Sequence, residues 1–266
     1  MRLVVIRGAG EMASGTAHRL HAVGYRIIMT ELPRPLAVRR GVAFAQAVYD
    51  GSAEVEGIVA VHACTLAEAL ALCRQGKIAV LTKEIACKDL TALPPAALVD
   101  ARLAKENLGT KIDEAKVVIG LGPGFIAGVD AHAVIETNRG HDLGRVLYTG
   151  AAQANTGNPG DIGGYREERV LKSSAPGIFS SSLAIGDLVA KGDRFGAIDG
   201  RPIPVPLSGV VRGLLMGGTS VEAGTKLGDI DPRGIREYCF TISEKARAIG
   251  GGVLEALLNL EGGVDR

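Results

Sequence analysis

The sequence has no tryptophan, and phenylalanine and tyrosine together make up only 4% of its 266 residues, so aromatic stacking surfaces are scarce. It also lacks a surplus of charge: 30 basic against 29 acidic side chains leave a net +1, and the basic cluster is confined to Arg34, Arg39 and Arg40. That is no electrostatic footprint for a polyphosphate track, and nucleic acid is not an expected partner. Gly, Pro or a charged residue interrupts every apolar run before membrane-spanning length, and Leu3 to Ile6 is too short for a signal-peptide core. The expectation is a cytoplasmic protein without a membrane partner. Cysteines at CxxC spacing are missing too; Cys64, Cys73, Cys87 and Cys239 read as reduced core thiols and not as a disulfide frame or zinc site. What the chain has in plenty is glycine, 37 residues, within an ordinary globular balance of 47% hydrophobic and 22% charged residues.

The first glycines fall in an ordered context. Leu3-Val4-Val5-Ile6 is a continuous apolar run that ends in Arg7-Gly8-Ala9-Gly10-Glu11-Met12-Ala13, after which apolar positions recur at helical spacing through Leu20 and Val23 to Gly24. Tyr25 to Thr30 reads as a second strand, closed by Glu31, 23 residues after Gly8. This is the order of a dinucleotide-binding turn. Gly8 permits the tight turn, Gly10 lets the amides of Glu11 and Met12 approach a pyrophosphate, Ala13 allows close helix packing, and Glu31 would accept a ribose diol. A glycine turn that serves packing alone is the competing reading, kept open by the unusual Arg7 inside the fingerprint.

Further α/β units follow: Glu56 to Val61, Ile78 to Leu81, Ala97 to Asp100 and Val117 to Leu121 as strands, with Leu66 to Arg74 as a helix. The pattern predicts a Rossmann-like, doubly wound and mostly parallel sheet. Its last strand enters a second glycine-rich turn at Gly122 and Gly124, where open α/β sheets bind ligands, although Pro123 alone could account for a turn there. Beyond it lie Asp130, His132, Glu136, Arg139 and His141. If Asp130 to Glu136 is a strand, Asp130, His132 and Glu136 share a face. His132, Glu136, Arg139 and His141 are candidate substrate contacts, a solvated polar face is the alternative, and no metal is assigned. No catalytic residue stands out.

Near residue 165 the texture changes after Asn158-Pro159-Gly160-Asp161, and an internal repeat begins. "GDLVAKGDRFGAID" at 186 to 199 aligns without gaps to "GTSVEAGTKLGDID" at 218 to 231, with Gly186/Gly218, Val189/Val221, Gly192/Gly224, Gly196/Gly228, Ile198/Ile230 and Asp199/Asp231 identical at an offset of 32. Two copies of one all-β unit suggest a pseudo-twofold barrel sandwich, and through "IGDLVAKGD" and "PLSGVV" the segment resembles the biotinyl/lipoyl-like domains. The hairpin that bears the acceptor lysine in those carriers here reads Asp199-Gly200-Arg201, so neither biotin nor lipoate is expected. The closing "TISEKARAIGGGVLEALLNLEGG" reads as an amphipathic helix with a Thr241/Glu244 capping box; Gly250-Gly251-Gly252 inside it implies either a close backbone approach or a break. The expected division is 1–165 nucleotide-binding, 166–235 barrel sandwich, and 236–266 a C-terminal helix packing back.

Beyond these local patterns, "IRGAGEMASGTAHRLHAVGYRIIMTELPRPLAVRRGVAFAQAVYDG", "VIGLGPGFIAGVDAHAVIETNRGHDLGR", "IGGY" and "KARAIGGGVLEALL" resemble the selenium-dependent molybdenum hydroxylase accessory protein family, itself similar to xanthine dehydrogenase accessory factors. The resemblance implies a cytoplasmic maturation factor that handles the pterin dinucleotide cofactor or the selenium of a client molybdenum hydroxylase. Molybdopterin cytosine dinucleotide would present its pyrophosphate to the Gly8/Gly10 turn. An NAD(P)-dependent oxidoreductase is the alternative, a structural partner with an idle nucleotide fold is a third, and a homo-oligomer stays open.

Overall fold

The computed structural model describes residues 2–82, 89, 93–155, 157 and 159–262. Two compact units divide the chain, one formed by Met1–Pro35, Ala43–Thr156 and Ile242–Arg266, the other by Leu36–Val42 and Gly157–Thr241. The molecule is mixed α/β, and among the described residues no helix is long and apolar enough to cross a membrane.

The first unit is built on β1 (Leu3–Arg7), α1 (Glu11–Ala22), β2 (Arg26–Thr30), α2 (Ala47–Asp50), β3 (Ser52–Val55), β4 (Ile58–Ala63), α3 (Leu66–Arg74), β5 (Ile78–Leu81), β6 (Ala97–Asp100), β7 (Val118–Leu121), β8 (Ile126–Ala127), β9 (Ala133–Ile135), β10 (Val146–Leu147) and β11 (Gly150–Ala151). Nine of these strands form one sheet in the order β10-β9-β7-β6-β1-β2-β5-β4-β3, with β8 and β11 pairing apart. From β9 to β4 every neighbouring pair is parallel, and only β10 and β3 run antiparallel at the edges. Strands buried on both faces must be apolar throughout, which is why Val4-Val5-Ile6, Ile27-Ile28-Met29, Ile78-Ala79-Val80 and Leu98-Val99 read as continuous runs. The chain leaves β1 toward β2 on one side and returns to β6 on the other. The reversal of strand order therefore lies between β1 and β6, where ligand crevices of open α/β sheets form.

The expected Ile78–Leu81, Ala97–Asp100 and Leu66–Arg74 elements occupy those bounds. Glu56 to Val61 departs from expectation. It is the turn and second arm of a hairpin, because Glu56 and Gly57 take positive φ of 46° and 80° and fold β3 back on β4. The polar Ser52-Ala53-Glu54 gave β3 no apolar signal.

The last element, α4 (Glu244–Leu260), begins at Ser243, whose side chain accepts from the Ala246 amide. Thr241 is therefore not the cap; its hydroxyl donates to the Glu237 carbonyl. The helix runs unbroken through its three glycines. A β-carbon at Gly250 would lie 3.0 Å from the Gly15 carbonyl oxygen, and one at Gly252 would collide with the Gly144 carbonyl. The glycines are thus the condition for close helix packing, and one at Gly15 would lie 2.7 Å from the Ala246 β-carbon.

The second unit holds β12 (Val170–Lys172), β13 (Gly177–Ser180), β14 (Leu188–Val189), β15 (Arg194–Ile198), β16 (Arg201–Pro204), β17 (Gly209–Leu214), β18 (Ser220–Val221) and β19 (Lys226–Asp231). They make two four-stranded antiparallel sheets, β12-β19-β17-β14 and β16-β15-β13-β18. The repeat is visible in the starts of β13/β17, β14/β18 and β15/β19, which keep the offset of 32. The pairing also explains why two copies are needed. β14 of the first copy pairs with β17 of the second, and β18 of the second with β13 of the first, so neither copy completes a sheet alone. Between the sheets lie Phe179 and Phe195, with ring centroids 6.1 Å apart, together with Val211, Leu227 and Ile230.

Buried ion pairs seal this unit. Arg169 meets Asp229 at 2.6 Å with both side chains under a tenth exposed. Asp231, fully buried, accepts two hydrogen bonds from the Arg233 guanidinium. Burial opposes ionisation of both carboxylates, but Lys226 and Arg169 around Asp229, and Arg233 and Arg212 around Asp231, outweigh it and hold both pKa values below the usual 3.8. Depressed folded pKa values contribute stability that is complete above the unfolded value and is lost as pH falls toward the folded ones. Chemical denaturation should therefore show a stability plateau near neutrality and a decline below about pH 4. Asp229→Ala, which strands Arg169, should lower the stability of this unit by about 3 to 5 kcal/mol at pH 7. A loss under about 1 kcal/mol would mean that water already reaches the pair.

Candidate functional site

The turn between β1 and α1 is held from three sides. The Gly8 amide donates to the Thr30 carbonyl at 2.8 Å, the Ala9 amide to Glu31 Oε2 at 2.8 Å, and the Ala45 amide to the Ala9 carbonyl at 2.9 Å. Gly8 has φ of +96°, and a β-carbon there would sit 3.1 Å from the Ala101 carbonyl oxygen, so its glycine is required by the turn and by β6 beside it. Gly10 is different. Its φ of −69° suits any residue, and an added β-carbon would meet no atom within 4 Å. It is the N-cap of α1 without a side-chain cap, and the amides of a first helical turn have no acceptor within their own helix. Room, backbone donors and a helix N-terminus coincide there, a combination suited to an anion.

Glu31 stands at the end of β2. Its second oxygen accepts from the Leu32 amide at 2.8 Å, so both carboxylate oxygens are oriented by backbone at the rim of the turn. Arg7, the odd member of the fingerprint, points into a buried polar network. Its guanidinium grips Glu114 with two hydrogen bonds, of 3.1 and 2.6 Å, and donates to Thr110 Oγ1 at 2.6 Å. Thr110 in turn donates to Asp100, which also binds Arg102. The network ties the C-terminal ends of β1 and β6 together at the strand-order reversal, and the sequence offered no signal for it because Thr110 and Glu114 lie over a hundred residues from Arg7.

The other candidates fall in two places. At Gly122 and Gly124, with φ of +78° and +108°, the space a side chain would need is taken by Thr137 and by the Glu106 backbone. Those glycines are required by the chain's own packing, with no opening comparable to that at Gly10. Asp130, His132 and Glu136 do not form one strand face, since β9 begins only at Ala133. Each is committed to backbone: Asp130 accepts from the Ile126 amide, His132 Nδ1 from Val118, and Glu136 from Asn138 and Gln153. Arg139 pairs with Glu244 on α4, and His141 is exposed. Among the described residues no three His, Cys, Asp or Glu side chains gather as metal ligands.

Lys245, in the first turn of α4, was not singled out from the sequence. Burial lowers its pKa, as does Arg139, against the opposing pull of Glu11 and Glu136. Only the packing of α4 brings it within electrostatic range of Glu11 and of the Glu136/Arg139 segment. Of the cysteines, burial pushes the Cys73 thiol up to about 11 and raises that of Cys239, as suits core thiols. Cys64 is exposed, contrary to expectation, because β4 ends at Ala63 and its amide is taken by Glu68 in the turn into α3. Cys87 and Asn158 lie outside the described residues.

In the second unit the expected hairpin is present. Asp199 and Gly200 take φ of +46° and +80° between β15 and β16, the left-handed pair of a two-residue turn, and Arg201 follows. Lys172 and Lys191 are exposed away from this tip and Lys226 is paired with Asp229. Intact-mass measurement from cells competent in both modifications should show no biotin or lipoate on residues 166–235; an increment of either mass there would refute this.

The site therefore defines a mixed α/β protein with a glycine turn open to an anion at the centre of a mostly parallel sheet. No protein-family model matches the chain. It is 54% identical over 259 residues to a curated Escherichia coli K12 protein carrying the name uncharacterized protein YqeB, an alignment covering 97% of this chain and 48% of that protein. The chain thus spans about half the length of the curated relative it matches. Among solved structures it overlaps the ectoine utilization protein EutE (DoeB) of Ruegeria pomeroyi at 10% identity, over 85% of this chain and 56% of that one, with a TM-score of 0.24. An aspartoacylase family protein of Mesorhizobium loti overlaps at 15% identity, over 86% and 84%, with a TM-score of 0.30. At such scores neither overlap assigns a fold or an activity.

Proposed function

We propose that the first unit is a Rossmann-like domain that binds a dinucleotide over the Gly10 turn, and that the protein serves in the cytoplasm as a maturation factor for a selenium-dependent molybdenum hydroxylase. The observation that carries the nucleotide reading is the contrast within one loop. Gly8 is a glycine because its backbone and Ala101 demand it, whereas Gly10 opens on empty space at an uncapped helix start. A pyrophosphate is the group that makes such a glycine necessary, since a side chain there would occupy the phosphate position. Gly10, Glu11 and Met12 would hold the pyrophosphate through their amides, and Glu31 would accept the ribose diol. Molybdopterin cytosine dinucleotide fits both this cradle and the client that the sequence resemblance implies. The second unit, a repeat with no lysine at its hairpin tip, is proposed as an unmodified barrel-sandwich module that offers a surface to the client.

One observation favours a second reading: Glu31 sits at the ribose end of the turn, as it would for NAD(P) in an oxidoreductase. Two experiments separate the readings. Native mass spectrometry of the purified protein should reveal a retained pterin dinucleotide; a nicotinamide nucleotide that turns over with small alcohols or acids would favour the oxidoreductase. Deleting the gene should leave the client hydroxylase synthesised but inactive, with molybdenum or its terminal chalcogen ligand missing. Normal client activity and metal content in that strain would sink the maturation role.

A further inference from the structure

We propose that the arginine and aromatic surface around Arg236 docks an acidic segment of a partner protein, a role that rests on the reading of the second unit as a surface for the client. The residues concerned all belong to that unit, which comprises Leu36–Val42 and Gly157–Thr241. After β19 the chain makes one 3-10 turn, Arg236–Cys239, pinned by the fully buried Cys239, whose thiol donates to the Val211 carbonyl of β17. Around that anchor Ile235, Tyr238 and Phe240 remain 37%, 40% and 43% exposed. Apolar residues exposed singly are ordinary, but these three fall within six consecutive positions and form a patch.

Arginine covers both rings. Arg233 stacks over Tyr238 at 4.6 Å and Arg236 over Phe240 at 6.0 Å. Arg39 donates to the Tyr238 carbonyl at 3.2 Å, and Arg212 approaches Asp231 at 3.6 Å, so four guanidinium groups gather on one side of the unit. The carboxylates near them are few: Asp231 is fully buried against Arg233, Asp187 accepts from the Ala184 amide, and Glu237 is exposed. Arg236 is exposed and makes no hydrogen bond or ion pair with any described residue. Stacking occupies the face of a guanidinium and leaves its edge donors for a carboxylate fork. Arginine and aromatic residues, with no lysine between 231 and 241, are also the composition of energetically dominant interface centres. The repeat shows that this stack is an addition to the fold. A β-carbon at Gly186 would lie 2.9 Å from Arg236 Nε and 3.2 Å from the Phe240 ring, whereas one at Gly218, its equivalent in the second copy, would meet no atom within 4 Å. The arginine–aromatic pair therefore rests on one copy alone, held in place before any partner arrives, and a side chain already held loses little freedom on binding.

Fluorescence anisotropy on the full chain tests this with a labelled glutamate–tyrosine copolymer, and with polylysine and oligothymidylate as contrasting probes. The copolymer should bind, more weakly as salt rises, and polylysine should not. Arg236→Glu should weaken copolymer binding about 10-fold or more, and Arg236→Lys, which keeps the charge without the planar fork, by less. Arg194→Glu makes the same change of charge at an exposed position of the other sheet and should cost under about twofold. All three variants should melt as the wild type does, since both arginines are exposed. The docking surface is overturned if the wild type does not bind the copolymer, or if Arg236→Glu loses no more than Arg194→Glu. Tighter binding of oligothymidylate than of the copolymer would equally overturn an acidic protein partner. None of these results touches the maturation reading, which the metal content of the client in the deletion strain decides.

Discussion

Gly10→Val is expected to abolish dinucleotide binding and leave the protein folded. The valine side chain enters space that is empty of protein, at a φ of −69° that valine adopts freely, so the fold loses little beyond the N-cap preference of glycine, about 1 kcal/mol. A pyrophosphate needs that same space. A β-branched side chain there holds the phosphate away from the Glu11 and Met12 amides, and affinity should drop by at least about 100-fold, equivalent to about 3 kcal/mol. Calorimetry and thermal melting decide it together: unchanged affinity in a folded variant takes the turn out of the site. Gly8→Ala is the wrong test of the same idea. Its positive φ and the Ala101 carbonyl would damage the turn whether or not a nucleotide binds.

Gly252→Leu should be the most damaging single substitution in α4, while the neighbouring Gly251→Ala should stabilise. A side chain at 252 is driven into the Gly144 carbonyl and lies 3.1 Å from Ile135 Cγ2, both in the packed first unit, so either the helix lifts off the sheet or the loop moves. Overpacking against backbone of this kind costs about 3 kcal/mol or more. At Gly251 nothing lies within 4 Å of an added β-carbon, and alanine in a helix interior is favoured by about 0.5 to 1 kcal/mol over glycine. Denaturant titrations of the two variants should therefore move in opposite directions. Equal effects would mean that α4 is not seated on the Gly144 loop.

The two glycine pairs show where sequence and structure part. The fingerprint assigns the turn to Gly8 and the phosphate approach to Gly10, but pattern registers the missing side chain and not what surrounds it, there or at Gly122 and Gly124. The structure separates them: Gly8, Gly122 and Gly124 are filled by Ala101, Thr137 and Glu106, and Gly10 is open. Asp130, His132 and Glu136 would share a face only in one continuous strand; the structure makes a strand of Ala133–Ile135 alone, and Asp130 closes a turn on Ile126 instead. Free cysteine is usually buried, which predicts a core position for Cys64, but the turn into α3 leaves it exposed.

Local chemistry was enough to mark the central parallel strands β1, β2, β5, β6 and β7 and the repeat. A strand covered on both faces has to be a continuous apolar run, and a hairpin such as Asp199-Gly200 requires φ values that few residue pairs tolerate, so both leave marks within a few neighbouring positions. The exchange of β14 and β18 between the repeat halves, the Arg7-Glu114-Thr110-Asp100 network and the arrival of Lys245 within electrostatic range of Glu11 were decided only by the tertiary structure. Each joins residues far apart in the chain, and each depends on distances set by packing, with α4 brought against α1 by glycines whose purpose appears only when both helices are in place.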